Sequence, residues 1–322
     1  MAVASARANI ALVKYWGKRS AALNLPAAGS LSLTLAALET RTTVQLTDGP
    51  QDRLLLDGEP ANAKATGRVS RFLDLVRKRA DRHERAEVVS ENGFPTAAGL
   101  ASSASAFAAL ARAATAAYGV EANPRELSIL ARQGSGSAAR SIFGGYARMH
   151  AGARDDGSDA FAEALEGARI ELAAAIAVAD AGEKAIGSTE GMDRTRDTSP
   201  YHAAWLDLVD RDLAAAELAL RKADFEELAE VVEGSCLAMH ANALAARPGI
   251  LYFGPSTLWA LERVRALRAE GTPVMFTIDA GPHVVAFTPP EHLDLVERAL
   301  AEGPVARVIT SQAGDGARLE SE

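Results

Sequence analysis

The spacing of apolar residues changes character once along this chain, and that change limits the folds open to it. Up to about Gly182, strand patterns dominate. They cover 10–15, the alternating 31–35, then 41–46 and 54–56 around an Asp57-Gly58 turn, and a stretch near Val88. A strand at 146–149 follows the Gly144-Gly145 break, and a continuous apolar run at 172–179 reads as a buried strand. Helices interrupt these strands where Val69, Phe72, Leu73 and Val76 share a face, at 102–117, and after Pro124. Residues 155–167 are acidic and small, which fits an exposed loop or a loose helix. Beyond Gly182, long helical faces take over. Leu206, Val209, Leu213, Ala216 and Leu220 trace one, Phe225, Leu228, Val232 and Met239 a second, and Leu258, Leu261 and Val264 a third. Strands at 274–278 and 284–287 bracket the turn Asp279-Ala280-Gly281-Pro282, and a helix–strand pair closes the pattern over 290–310. Elements that segregate in this way predict α+β, not a doubly wound sheet. Two domains are expected, 1–182 and 183–322.

Aromatic residues are only 5% of the 322, so Ala, Leu and Val must fill the interior. The formal net charge of −8 gives the chain no electrostatic footprint for nucleic acid. An anionic ligand must then be met by a local cluster of Lys and Arg. Cys236 is the single cysteine, which excludes an intrachain disulfide and fits a reducing cytoplasm. The first residues lack the layout of a signal peptide, and no apolar run approaches the ~20 residues of a membrane span. A soluble cytoplasmic protein is expected, without membrane or nucleic-acid partners. The six histidines form no ligand-spaced cluster.

The strongest local signal is the small-residue run 95–106, PTAAGLASSASA. Small side chains let backbone approach a ligand, and Gly99 widens the accessible φ/ψ range. The following helix would aim unpaired N–H groups at an anion. Ser102 and Ser103 add hydroxyls that can reach a phosphate oxygen or its Mg²⁺. A tight turn packing a helix on a sheet would have the same composition. The run is neither a Walker A loop nor a dinucleotide fingerprint. It resembles the ATP-binding motif of the GHMP kinase superfamily.

Four further stretches have chemical readings of their own. In 9–18, NIALVKYWGK, Lys14 and Lys18 stand in an apolar, aromatic segment, where cations are costly to bury unless they meet anions or reach solvent. In 134–145, GSGSAARSIFGG, Arg140 is suited to a bidentate grip on carboxylate or phosphate, or to a structural ion pair. In 276–282, FTIDAGP, Asp279 ends an apolar strand, as a turn cap or a functional group. The polar stretch 188–199 looks irregular, with Ser199 or Thr198 as N-cap of a helix starting near Pro200.

Taken with the phosphate loop, these four stretches resemble, in order and across most of the chain, the diphosphomevalonate decarboxylases of that superfamily. The resemblance implies the GHMP fold: an N-terminal α/β sandwich domain, a C-terminal ferredoxin-like domain, and an active site in the cleft between them. It implies ATP with Mg²⁺, mevalonate 5-diphosphate as the small-molecule substrate, isopentenyl diphosphate as product, and a homodimer. ATP would lie on Pro95, Ala98, Gly99, Leu100, Ala101, Ser102, Ser103 and Ser105, with Ser103 at the Mg²⁺. Asp279 would be the catalytic acid–base, with Lys14 beside it. Arg140 would hold the departing carboxylate, oriented with Asn9. Tyr15, Lys18, Ser135, Gly136, Ser137 and Ser199 would contact the diphosphate. The sequence departs from the family pattern in the loop 26–30, at Gly93, at His283 and at Pro200. A phosphomevalonate decarboxylase or mevalonate 3-kinase of the same fold, or an inactive nucleotide-binding relative, remains the alternative.

Overall fold

The computed structural model describes residues 1–94, 102–179 and 186–320. Among them the chain opens with β1 (Ala2–Val13), a small hairpin of β2 (Lys18–Ser20) and β3 (Leu25–Pro26), and the long β4 (Ser30–Thr47). Next come β5 (Arg53–Leu56), β6 (Glu59–Pro60), α1 (Ala63–Ala80), β7 (Arg85–Asn92), α2 (Ser102–Tyr118) and α3 (Pro124–Gly134). A 3-10 helix (Gly136–Ile142), β8 (Tyr146–Met149), β9 (Ala162–Ala164) and β10 (Ala173–Val178) complete this part. After it follow α4 (Ser188–Thr198), α5 (His202–Lys222), α6 (Phe225–Leu244), α7 (Pro255–Ala269), β11 (Met275–Thr277) and β12 (Val284–Thr288). A short 3-10 turn leads into α8 (Leu293–Ala301), β13 (Arg307–Gln312) and β14 (Arg318–Leu319).

Two sheets organise the molecule. The first runs β14-β1-β4-β7-β5-β6, with β8 paired to the start of β4 and β9 to β8; the second runs β11-β12-β10-β13. The strands expected at 31–35 and 41–46 are one strand, because β4 swells between Thr34 and Glu39 opposite β1 and then resumes pairing. At the expected hairpin turn, Asp57 and Gly58 both have positive φ, 50° and 85°. α3 starts at Pro124 with a full capping box between Asn123 and Glu126.

Helices α1, α2 and α3 cover one face of the first sheet, where α2 presents alanines and approaches closely. The other face, with Ile10, Leu12, Leu31 and Leu33, packs on α5, α6 and the second sheet in one continuous core. β10 alternates between layers: Ile176 and Val178 join that core, while Ala175 and Ala177 join the cluster under α7 and α8. A strand buried on both faces reads as an unbroken apolar run, which is why it was legible. The expected divide at Gly182 lies outside the described residues. β10, ahead of it, pairs in the second sheet, and β14, at the far end, returns to the first.

Two local expectations are corrected. Residues 188–199 are not irregular, because 188–198 form α4. Two ion pairs one turn apart, Arg194–Glu190 and Arg196–Asp193, support it, and Gly191, Met192 and Thr195 are buried. Ser199 is therefore the C-cap of α4, and α5 begins at His202 behind Tyr201, so Pro200 is not its first residue.

The orientation of α1 is fixed from beneath. Arg77 pairs with Asp52, whose side chain is 1% exposed and also accepts from Ser70 Oγ and the Ala86 N–H. Asp52→Ala leaves the buried Arg77 guanidinium with Asp74 at the surface as its remaining carboxylate, and removing one member of a buried pair costs about 3–5 kcal/mol. Urea unfolding should register a loss of that size; a loss below about 1 kcal/mol would remove this anchor from the account.

Candidate active site

β1 ends at Val13, and the next residue enters the junction of the two sheets. Lys14 is 1% exposed, and its Nζ lies 2.6 Å from Asp279 Oδ1. Its own N–H donates to Ser235 Oγ on α6 at 3.1 Å. Asp279 comes from the other side, two residues beyond β11. Thr277 Oγ1 donates to the Ala11 carbonyl at 3.2 Å and ties that strand to β1. The Asp279 side chain remains 27% exposed and lines a large cleft. The lysine is thus covered and the carboxylate is presented.

Arg140, in the 3-10 helix, is 2% exposed. Its Nε donates to Asn9 Oδ1 at 3.0 Å and to Ser32 Oγ at 2.9 Å, and its Nη1 donates to Ser30 Oγ. The Asn9 amide in turn donates to the Ser137 carbonyl and to Ser141 Oγ. Burial lowers the Arg140 guanidinium to about 10, opposed by the charge of Asp279 and by Tyr15, so it stays cationic at neutral pH. Among the described residues it makes no salt bridge, and its hydrogen-bond partners there are neutral. A buried cation held only by neutral groups is suited to an incoming anion.

Both Arg140 and Asp279 line one cleft of about 1260 Å³. Asn9, Tyr15, Lys18, Ser135, Gly136 and Ser137 share it, as do Ser102 and Ser103 at the start of α2. The three hydroxyls of Ser103, Ser135 and Ser137 stand in a row at 3.3 Å spacings. The Tyr15 hydroxyl is buried without a partner among the described residues, and burial raises it to about 12. It rests on Gly136, where any Cβ would overlap it. Burial lowers Lys18, with nearby Asp193 acting in the opposite direction.

Two expected residues, Ser105 and Ser199, are not among those that line the cleft. Ser105 is fully buried, with its hydroxyl 2.6 Å from Thr40 Oγ1, so it fastens α2 to β4 and faces away from the cleft. Ser199 closes the C-terminal end of α4, whereas residues 187–190 at the other end line the cleft. Pro95, Ala98, Gly99, Leu100 and Ala101 lie outside the described residues. Sequence reasoning also missed a basic wall, Lys64, Arg68 and Arg71 on α1. Their i, i+4, i+7 spacing was a visible signal that they share one face.

Nucleotide phosphates fit this wall of cations and the hydroxyl row. Among the described residues no three His, Cys, Asp or Glu side chains gather as a metal cage. Mg²⁺ needs none, because it keeps several waters and binds phosphates with one or two protein oxygens. The Ser103 hydroxyl is available for that role.

Asp212 on α5 hydrogen-bonds Ser235 beneath Lys14, and burial raises its carboxyl to about 6. A carboxyl raised in the folded state stabilises below its unfolded value near 4, and that contribution fades as pH climbs through 6. Asp212→Asn should therefore gain melting temperature relative to the parent as pH rises from 4 to 7. A difference that is flat over this range would contradict the burial argument.

Comparison with known proteins finds matches for both parts of the chain. Residues 6–162 match the diphosphomevalonate decarboxylase-like N-terminal domain, and residues 174–317 match the mevalonate 5-diphosphate decarboxylase C-terminal domain. The diphosphomevalonate decarboxylase of Aspergillus fumigatus is 41% identical over 307 residues, covering 89% of this chain and 76% of that protein. The crystal structure of the Staphylococcus aureus mevalonate diphosphate decarboxylase superposes with a TM-score of 0.95 at 38% identity, over 99% of this chain and 98% of that one. A solved complex of MDDEF with MVAPP, AMPPCP and magnesium superposes with a TM-score of 0.93 at 42% identity, over 100% and 99% of the two chains. With both halves matched in order and the whole fold superposing, the chain belongs to the diphosphomevalonate decarboxylase family.

Proposed function

We propose that this protein converts mevalonate 5-diphosphate and ATP into isopentenyl diphosphate, ADP, phosphate and carbon dioxide. The observation that carries the reading is that Asp279, backed by Lys14, and Arg140, without an ion pair among the described residues, open on the same cleft. One group suits a proton, the other a carboxylate.

Asp279 takes or orients the proton of the substrate's tertiary hydroxyl as the γ-phosphoryl group is transferred to it. Lys14 balances charge at that point. Phosphoryl transfer depends chiefly on positioning and electrostatics, and a cleft with five cationic side chains in its lining supplies both. Lys64, Arg68 and Arg71, together with the start of α2, receive the nucleotide phosphates, and Ser103 reaches the Mg²⁺ that neutralises their charge. Lys18, Tyr15, Ser135 and Ser137 hold the diphosphate, and the buried Tyr15 hydroxyl, without a partner among the described residues, supports this role because it can donate to a phosphate oxygen. Arg140, oriented by Asn9, grips the carboxylate. The new phosphate ester then leaves with its bonding pair, the C–C bond to the carboxylate supplies the electrons of the alkene, and carbon dioxide departs.

Substitution separates these roles. Asp279→Ala should cut turnover by about 10²–10⁴-fold while ATP still binds. Arg140→Gln should abolish carbon dioxide release. Both are read by assaying phosphate, carbon dioxide and isopentenyl diphosphate from mevalonate, its monophosphate and its diphosphate. Near-parent turnover in Asp279→Ala, or a preference for the monophosphate, would refute the assignment.

A further inference from the structure

Ile278 lies between the last residue of β11 and Asp279, beyond the ladder that pairs β11 with β12. It is fully buried, so its backbone groups need partners. Side chains of α6 supply them. The Ile278 N–H donates to Cys236 Sγ at 3.2 Å. Its carbonyl lies 3.2 Å from His240 Nε2 and accepts from the Cys236 thiol at 3.7 Å. Residues 236 and 240 are one helical turn apart and share a face.

We propose that His240 and Cys236 are positioning residues that set the Asp279 carboxylate by clamping the peptide groups of Ile278. The proposal rests on Asp279 being the reacting group. A carbonyl oxygen can only accept, so His240 must carry its hydrogen on Nε2, which fixes the tautomer. The ring cannot swing away: Phe253 lies 4.5 Å from it and Tyr252 stands edge-on at 6.0 Å, centroid to centroid. Burial and the nearby Lys14 charge push the imidazole down to about 4, so it stays neutral and keeps its single donor. Ser235, the residue before Cys236, takes the Lys14 N–H. One turn of α6 therefore sets the backbone behind both members of the Lys14–Asp279 pair. No substrate contact is needed, because a small displacement of a catalytic group costs rate, not binding.

The test compares variants that keep or lose the donor. His240→Gln retains an N–H of similar reach, and His240→Leu does not; Cys236→Ser retains both functions of the thiol, and Cys236→Ala neither. Expected for Leu and Ala is a fall in kcat of about ten- to a hundredfold, with KM for mevalonate diphosphate and ATP within about twofold. Gln and Ser should recover most of it, with all assays run below each variant's melting temperature. Equal kcat within each pair, or loss of kcat and binding together, would overturn the proposal. If His240→Leu fails to fold, the Cys236 pair decides alone. An inactive Asp279→Ala beside parent-like His240→Leu and Cys236→Ala defeats only the clamp. An active Asp279→Ala defeats the reading beneath it.

Discussion

The contact between Lys14 and Asp279 joins residues 265 apart in sequence, at the seam of two sheets. An ammonium covered to 1% exposure loses several kcal/mol of hydration, so a pair of this kind adds little net stability. It survives because the surrounding core holds the two sheets together regardless. Ile10 and Leu12 of β1 and Val285 and Phe287 of β12 share one apolar cluster, and Thr277 bridges to Ala11. The hydrophobic layer therefore does the docking, and the ion pair is its functional product. The asymmetry of exposure assigns the parts: a covered lysine can only bias its neighbour, while a carboxylate facing the cleft can exchange a proton with a ligand.

Charge is arranged on the same principle. The chain carries −8 overall, yet one cleft collects Lys18, Lys64, Arg68, Arg71 and Arg140. Arg140 is the most constrained of these. Its neighbours Asn9, Ser30 and Ser32 are neutral acceptors, which fix the fork without cancelling its charge. A carboxylate in their place would satisfy the arginine and leave nothing for a ligand. Four carboxylates, Asp74, Glu190, Asp193 and Asp279, line the same cleft, so its cations exceed them by one, and a separate acidic group, Glu226, Glu227 and Glu230, gathers near the start of α6. Long-range attraction of an anion thus depends on a local field opposed by the molecule as a whole, which salt should weaken at a distance but less inside the cleft.

What the sequence revealed follows from the range of the forces involved. The Asp57-Gly58 turn, the capped start of α3 and the doubly buried β10 are set by neighbours in the chain, and each could be read there. Lys14, Arg140 and Asp279 were legible as misfits, being charged groups in apolar or small-residue surroundings. α4 was not, because it has no long apolar stripe. It forms where Gly191, lacking a Cβ, can sit against Trp16 and Tyr252, a contact spanning three distant segments. The C-cap position of Ser199, expected as an N-cap, follows from that missed helix. Ser105 looked like its neighbours Ser102 and Ser103, and only the turn of α2 carries it to the inner face, onto Thr40. The basic face of α1 needed the cleft to give it meaning.

The positions where the sequence departs from its family carry structural work more than chemistry. Ser30, at the end of the altered loop 26–30, supplies a hydroxyl to Arg140, so that loop still serves the carboxylate site. His283 accepts the Ala179 N–H on its Nδ1 and so joins the end of β10 to the turn after Asp279. The Gly93 N–H donates to the Glu39 carbonyl, continuing the register of β7 along β4 by one residue. Pro200 is exposed at the C-terminal end of α4, away from the residues of that helix that line the cleft. The altered positions thus act on how the strands, the turn after Asp279 and the buried Arg140 are held.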